Sequence, residues 1–226
     1  MDIFYPIFML IIFIILCIPG GKYLAAVISY GKNPFDRVFD PLDNLIYKIT
    51  GITKEDMNWK EYSKAILFTN FFAFFITFLI FRFQGLFHGN AAFDSALSFN
   101  SAVSFVTNTN LQDYSGEDAG LVTTLIIIFQ MFFSAATCFA AASAFIRGLA
   151  KKEGFGNFFM DITRIITRVL LPLSVIVAVI LIINNVPQSF AGTQIIKTIE
   201  GNFQAVKLGP VASLESIKHL GTNGGG

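Results

Sequence analysis

An all-α, polytopic membrane protein with re-entrant loops is the fold class this sequence predicts, and three observations carry it. The composition is too apolar for a soluble domain of 226 residues, at 54% hydrophobic, 15% aromatic and mean hydropathy +0.64. Four apolar stretches are long enough to cross a hydrocarbon core, which takes roughly 20 residues of helix. Two shorter stretches are too brief to cross, and each runs into a segment of Thr, Asn and Gly. The 27 Phe are more than one compact soluble core would hold, and lipid-facing helices account for them.

The first span is Ile3 to about Ile18, continuing through Gly20-Gly21 to Val27. Its start, Met1-Asp2-Ile3, is acidic, and Pro19-Gly20-Gly21-Lys22 offers no small-x-small cleavage site, so it reads as a retained helix rather than a signal peptide. The second runs from about Ser63 to Phe81. The third, Ala119 to Ile146, has no charge in 28 residues. The fourth is expected from near Val169 to about Val186, with Pro172 in its first turns, where a missing N–H costs least. All four are expected to lack ionisable residues in their cores. Cys17 and Cys138 lie far apart inside apolar runs and read as buried, inert thiols.

Basic residues are unevenly divided between the connections. Gly20 to Lys64 holds seven and Arg147 to Arg168 holds five, whereas Arg82 to Asp118 holds one and Pro187 onward three. By the positive-inside rule the two rich segments are cytoplasmic, which puts the N-terminus and both Thr-Asn segments outside. Trp59, Tyr62 and Tyr47 suit the cytoplasmic interface. The first basic segment also carries Asp36, Asp40, Asp43, Glu55, Asp56 and Glu61, and reads as a solvated loop with short helical pieces or a docking surface. A net charge of +1 offers no basic field for nucleic acid.

The two short segments carry the chemistry. Ala96 to Val106 makes roughly 16 Å of helix, too short to cross. It mixes apolar Leu97, Val103 and Phe105 with Ser98, Asn100, Ser101 and Ser104, which suits a helix packed inside protein. Thr107-Asn108-Thr109-Asn110 then leads outward past Gln112 and Asp113. Pro210 and Ser213 are start signals for a second short helix, Ser213 to Leu220, followed by Gly221-Thr222-Asn223-Gly224-Gly225-Gly226. Glycines permit backbone angles that let successive carbonyls face one axis, and a dehydrated cation needs such oxygens in place of its water. Each short helix aims the negative end of its dipole the same way. No Lys follows the glycines, so this is not a phosphate loop. Thr107 and Thr222 stand 115 residues apart, about one repeat of span, short helix and Thr-Asn segment. Ion selectivity is the leading reading of the residues themselves. His88 and His219 are single and read as ordinary hydrogen-bonding residues. An intramembrane enzyme would need ionisable side chains at membrane depth, and a purely structural subunit leaves both Thr-Asn segments without a purpose.

The sequence is similar to a known family. Met57-Asn58-Trp59-Lys60, Ala102 through Asn110, Tyr114-Ser115-Gly116-Glu117, and Leu208 through Ser213 with the final Gly221 to Gly226 resemble the potassium-translocating A subunit of the Kdp-type potassium-transporting ATPase. The resemblance runs the length of the chain, with Leu111 standing where some members carry an aromatic residue. It implies the pore-loop fold of the K⁺ channel and transporter superfamily: repeats of outer helix, pore helix, filter and inner helix, after one leading helix. The expected organisation is a leading transmembrane helix at 1–30, a cytoplasmic loop at 31–61, a first pore-loop repeat at 62–150, and a second repeat at 151–226 reaching only its filter. That is the layout of a fragment, holding two quarters of a filter.

The resemblance further implies K⁺ as the transported ion, with no organic cofactor. The ion is bound by backbone carbonyls of Thr107, Asn108, Thr109 and Asn110 and of Gly221, Thr222, Asn223, Gly224 and Gly225, with Gln112 and Asp113 at the rim. It implies a prokaryotic inner or plasma membrane location. The implied partners are a separate P-type ATPase subunit and small accessory membrane subunits, besides the lipid bilayer. No Asp-Lys-Thr-Gly phosphorylation motif or nucleotide loop occurs here, so no catalytic residue is expected in this chain. The alternative is an ATP-independent, channel-like K⁺ or Na⁺ transporter of the same superfamily.

Overall fold

A computed structural model describes residues 4–88, 91–109, 111, 113, 119–150 and 154–222, the side chains of His88, Thr193 and Lys207 excepted. Among the described residues four helices or helix pairs have the length and apolarity to span a membrane, and the protein is a polytopic membrane protein. Helix α1 is Phe4–Ile28 and continues through Pro19 and both glycines. Helix α2, Asp36–Thr50, is a strongly amphipathic helix within the first basic segment, closed by Gly51 at φ 69°. Helix α3 is Trp59–Arg82, opened by a capping box in which Asn58 and Glu61 satisfy each other's backbone N–H groups.

A single-turn α4, Gly85–His88, precedes the short helix α5, Ser95–Val106, which is capped by the Asp94 carboxylate on the N–H of Leu97. Helix α6 is Leu121–Leu149. Its inner face is a run of small residues, with Ser134, Ala135, Ala136, Ala140, Ser143 and Ala144 all buried. Small side chains let helix backbones approach closely where lipid supplies no hydrophobic drive between them. Phe81 at the end of α3 is fully buried and packs edge-on against Phe93 and Phe105, fixing α5 to α3.

The fourth span begins earlier than the sequence suggests. Helix α7, Phe158–Ile165, passes through a π-turn at Ile166–Leu170 into α8, Leu171–Ile183. Pro172 is therefore inside a continuous helical run rather than at its start. The π-turn takes up the disruption, as the N–H of Leu171 bonds back to Ile166. The helical run consequently carries Asp161, Arg164 and Arg168 ahead of its uncharged stretch, residues 169–183, and α6 ends with Arg147, so the span cores remain free of charge.

These charges are paired. Arg147 grips both oxygens of Asp161, which also accepts from the hydroxyls of Tyr30 and Tyr62 at 2.8 Å each. Tyr62 is thus a buried network residue and Tyr47 is also buried, while Trp59 remains exposed. Arg168 has no exposed side-chain surface and meets Asp36, Asp40 and Asp43 of α2 together. Three of the six acids of the first basic segment are thus paired with Arg168, while Glu55, Asp56 and Glu61 stay exposed.

A further unanticipated element is an antiparallel hairpin, β1 Thr193–Lys197 with β2 Phe203–Lys207, in register from Thr193 opposite Lys207. It joins α8 to α9, Val211–Leu220. The α9 helix is pinned to α8 by Ser174 and Ser216, whose hydroxyls are 2.8 Å apart. Cys17 and Cys138 are unbridged, and both are exposed, where burial was expected. The first half of α1 packs on nothing among the described residues, and Cys138 lines a cavity.

Candidate functional site

The two short helices end in the same way. At the end of α5 the N–H of Thr107 bonds the carbonyl of Val103, and that of Asn108 the carbonyl of Phe105. At the end of α9 the N–H of Gly221 bonds Ile217, and that of Thr222 bonds His219. Thr107 and Gly221 share nearly the same backbone angles, φ −85°, ψ 3° and φ −76°, ψ −3°. Asn108 and Thr222 then both turn left-handed, at φ 60° and φ 56°. The structural register pairs Asn108 with Thr222, one residue off the Thr-with-Thr pairing suggested by sequence. The cause is that each helix closes on its own last turn, whichever residue stands there.

The first segment is strapped back onto its helix. The helix end leaves the Ser104 carbonyl without an intrahelical donor, and the Val103 carbonyl with room for a second one. The hydroxyl of Thr107 donates to the Val103 carbonyl at 2.8 Å, and the N–H of Thr109 to that of Ser104 at 3.0 Å. The Ser104 hydroxyl then accepts the N–H of Leu111 at 2.6 Å. Ser104 is buried, which explains why a polar residue stands there: it holds the extended segment against α5. Leu111 itself is exposed.

The two segments meet. The side-chain amide of Asn108 reaches the carbonyl of Gly221 at 3.4 Å, and its oxygen accepts from Ser134 of α6 at 3.0 Å. Asn108, Gly221 and Thr222 form one wall of a cavity of about 650 Å³ bounded by α1, α6 and the π-turn. The cavity is otherwise mainly apolar, with Ala135, Phe139 and Leu173 among its walls. Both α5 and α9 therefore direct the negative ends of their dipoles to this place, which favours a cation. Thr109 belongs to the same segment but does not line the cavity, and Asp113 is exposed. Asn110, Gln112, Asn223, Gly224 and Gly225 lie outside the described residues.

Sequence reasoning missed three residues that build this place. Ser134 bonds Asn108, Tyr23 lines the cavity, and Arg168 lines it too while holding α2. No signal in the chain announces Ser134, one of many small polar residues in an apolar run. Pro172 does hint that the carbonyl four residues earlier, that of Arg168, needs another donor. The Tyr23 hydroxyl supplies it. His219, the second single histidine, is exposed and 3.6 Å from Glu215 on its own helix. Among the described residues no cluster of His, Cys, Asp or Glu could hold a metal ion.

At the α2 contact the carboxylates differ. Burial alone would raise the Asp36 carboxyl, but hydrogen bonds from Arg168 and the Asn33 N–H, with the charges of Arg164 and Arg168, hold it below the usual range. Asp43 is more deeply placed, and burial pushes it up despite Arg168. Burial likewise pushes the Tyr47 hydroxyl up to about 12.

Comparison with known proteins gives one consistent result. The family model described as Potassium-transporting ATPase A subunit (KdpA) matches residues 7–226. A protein of Clostridium acetobutylicum named potassium-transporting ATPase potassium-binding subunit is 48% identical over 233 residues, covering 100% of this chain and 42% of the relative. Identically named proteins of Caldanaerobacter subterraneus and Geobacillus kaustophilus are 45% and 46% identical, covering 96% of this chain and 40% of each relative. The chain thus spans about two fifths of the length of the relatives it matches.

Proposed function

Because the chain belongs to the potassium-transporting ATPase A subunit family, we propose that it supplies two of the filter segments through which an ATP-driven uptake complex selects K⁺. The carrying observation is the matched geometry of two short helices, ending at Thr107 and Gly221, whose following turns meet through Asn108 at one cavity. Carbonyls of Thr107, Asn108, Thr109 and Asn110, with those of Gly221, Thr222, Asn223, Gly224 and Gly225, replace the water that K⁺ sheds, without adding fixed charge. Gln112 and Asp113 stand at the outer rim of the first segment.

The ion enters from outside, on the face poor in Lys and Arg, with the N-terminus on that same side. It then passes to a separate ATPase subunit, accompanied by small accessory membrane subunits. The names of the relatives favour this reading over an ATP-independent channel. Chemistry on ATP belongs to the partner.

The test is Gly224→Val in the full-length protein within its complex. A β-branched residue resists the backbone angles open to glycine and turns a carbonyl away. K⁺-over-Na⁺ discrimination in uptake should collapse, and unchanged discrimination would count against the filter assignment.

A further inference from the structure

Helix α2 presents two opposite faces, and among the described residues only one is covered by protein. Asp36, Asp40, Asp43 and Tyr47 recur at helical spacing and face the α7–α8 span, where Arg168 takes all three carboxylates. On the other side of the helix Val38, Leu42, Leu45 and Ile49 form a stripe at i, i+4, i+7 and i+11. They are 66%, 44%, 52% and 75% exposed. Arg37 and Lys48 flank that stripe, and both are exposed, as is Lys32 just before the helix.

Folding has therefore sorted the charges of a segment that looks balanced in sequence. The acids turn inward to Arg168 and Arg164, while Lys32, Arg37 and Lys48 are left outward beside the apolar stripe. The depth is set as well. Arg168 immediately precedes the uncharged run Val169–Ile183, so the guanidinium that clamps α2 stands at the edge of the apolar slab. Three carboxylates spread over roughly 10 Å of α2 converge on that one residue, so this face of α2 is held at the start of the uncharged run. Trp59, exposed at the start of α3 with the ammonium of Lys60 over its ring, belongs to the same boundary.

We propose that α2 is an in-plane membrane helix, seating Val38, Leu42, Leu45 and Ile49 in the acyl region of the Lys- and Arg-rich leaflet, with Lys32, Arg37 and Lys48 on anionic phospholipid headgroups. The stripe is apolar and exposed, as the outer faces of the spans are, and its basic flank complements an anionic leaflet. The remainder of the longer protein or another subunit is the competing occupant. The inference rests on the proposed orientation only for calling that leaflet cytoplasmic, and it stands or falls independently of K⁺ selection.

Site-directed spin labelling of the full-length protein in its complex tests it, with other cysteines replaced and vesicles of phosphatidylcholine and phosphatidylglycerol. Nitroxides at Leu42 and Leu45 should collide several-fold more with oxygen than with a water-soluble nickel chelate, and a label at Asn44 should show the reverse. A label at Ile49 repeats the measurement if one at Leu45 disturbs the helix. Replacing phosphatidylglycerol by phosphatidylcholine, or introducing Arg37→Gln with Lys48→Gln, should move the Leu45 label toward water. Labels shielded from both reagents would mean that protein covers the stripe, and labels open to nickel would mean a solvated helix; either overturns the proposal. An unmoved label on lipid exchange would remove the headgroup part of it.

Discussion

The Tyr23 hydroxyl of the leading helix donates to the backbone carbonyl of Arg168, the carbonyl that an N–H at position 172 would otherwise satisfy. A residue 145 positions away thus repairs the defect that Pro172 makes. The repair joins α1 to the span that holds α2 and borders the cavity.

Tyr23→Phe should therefore destabilise the protein by about 1–3 kcal/mol, the usual cost of an unpaired buried polar group. Pro172→Ala restores the missing N–H, so Tyr23→Phe should cost less in that background. Unfolding of the four proteins in detergent measures the coupling, and equal costs in both backgrounds would refute this account of the proline.

Arg147 and Asp161 form a bidentate pair between α6 and α7, with both side chains nearly inaccessible. Arg147→Gln or Asp161→Asn should each cost about 3–5 kcal/mol, because the partner is left as an uncompensated buried charge. The double variant should cost clearly less than the sum. Additive losses in a double-mutant cycle would show the pair to be energetically independent.

Gly156 sits at φ 81°, and a Cβ there would collide with the Arg147 guanidinium and crowd the Tyr30 hydroxyl. Gly156→Ala combines backbone strain of about 1–3 kcal/mol with displacement of the Arg147 network. Thermal unfolding should fall by several degrees, and Gly51→Ala gives the comparison. Gly51 is also left-handed but has open space around it, so its loss should be the smaller. A reversed ranking would remove the steric explanation.

Asn108 holds a left-handed turn while bonding both Ser134 and Gly221. Asparagine adopts that conformation readily, whereas a β-branched residue, as at Thr222, holds it only at a steric cost. In the full-length protein, Asn108→Val should lower K⁺-over-Na⁺ discrimination in uptake more than Asn108→Gly, which keeps the turn and loses only the side-chain bonds. Equal effects would mean that the bonds matter and the turn does not.

The sequence was most legible where a single property of the chain is decisive. Span lengths follow from bilayer thickness, so α1, α3 and α6 fall within a few residues of expectation. The short helix ending at Val106 was recognisable because a polar stretch of that length has no way to cross. The π-turn and the early start of the fourth span were not, since Asp161, Arg164 and Arg168 look like loop residues until their partners are known. The hairpin at Thr193–Lys207 escaped because a two-strand ribbon leaves little trace in a chain dominated by helical apolar runs.

Hydropathy, the distribution of Lys and Arg, and the Thr-Asn-Gly segments are local properties, and they alone pointed to a polytopic protein with two short segments that do not cross. The bond from Asn108 to the Gly221 carbonyl, the three carboxylates on Arg168 and the meeting of Tyr23 with the Arg168 carbonyl depend on residues more than 100 positions apart. Their energies exist only once the helices have packed: a buried charge or carbonyl must find whichever partner the fold brings within reach.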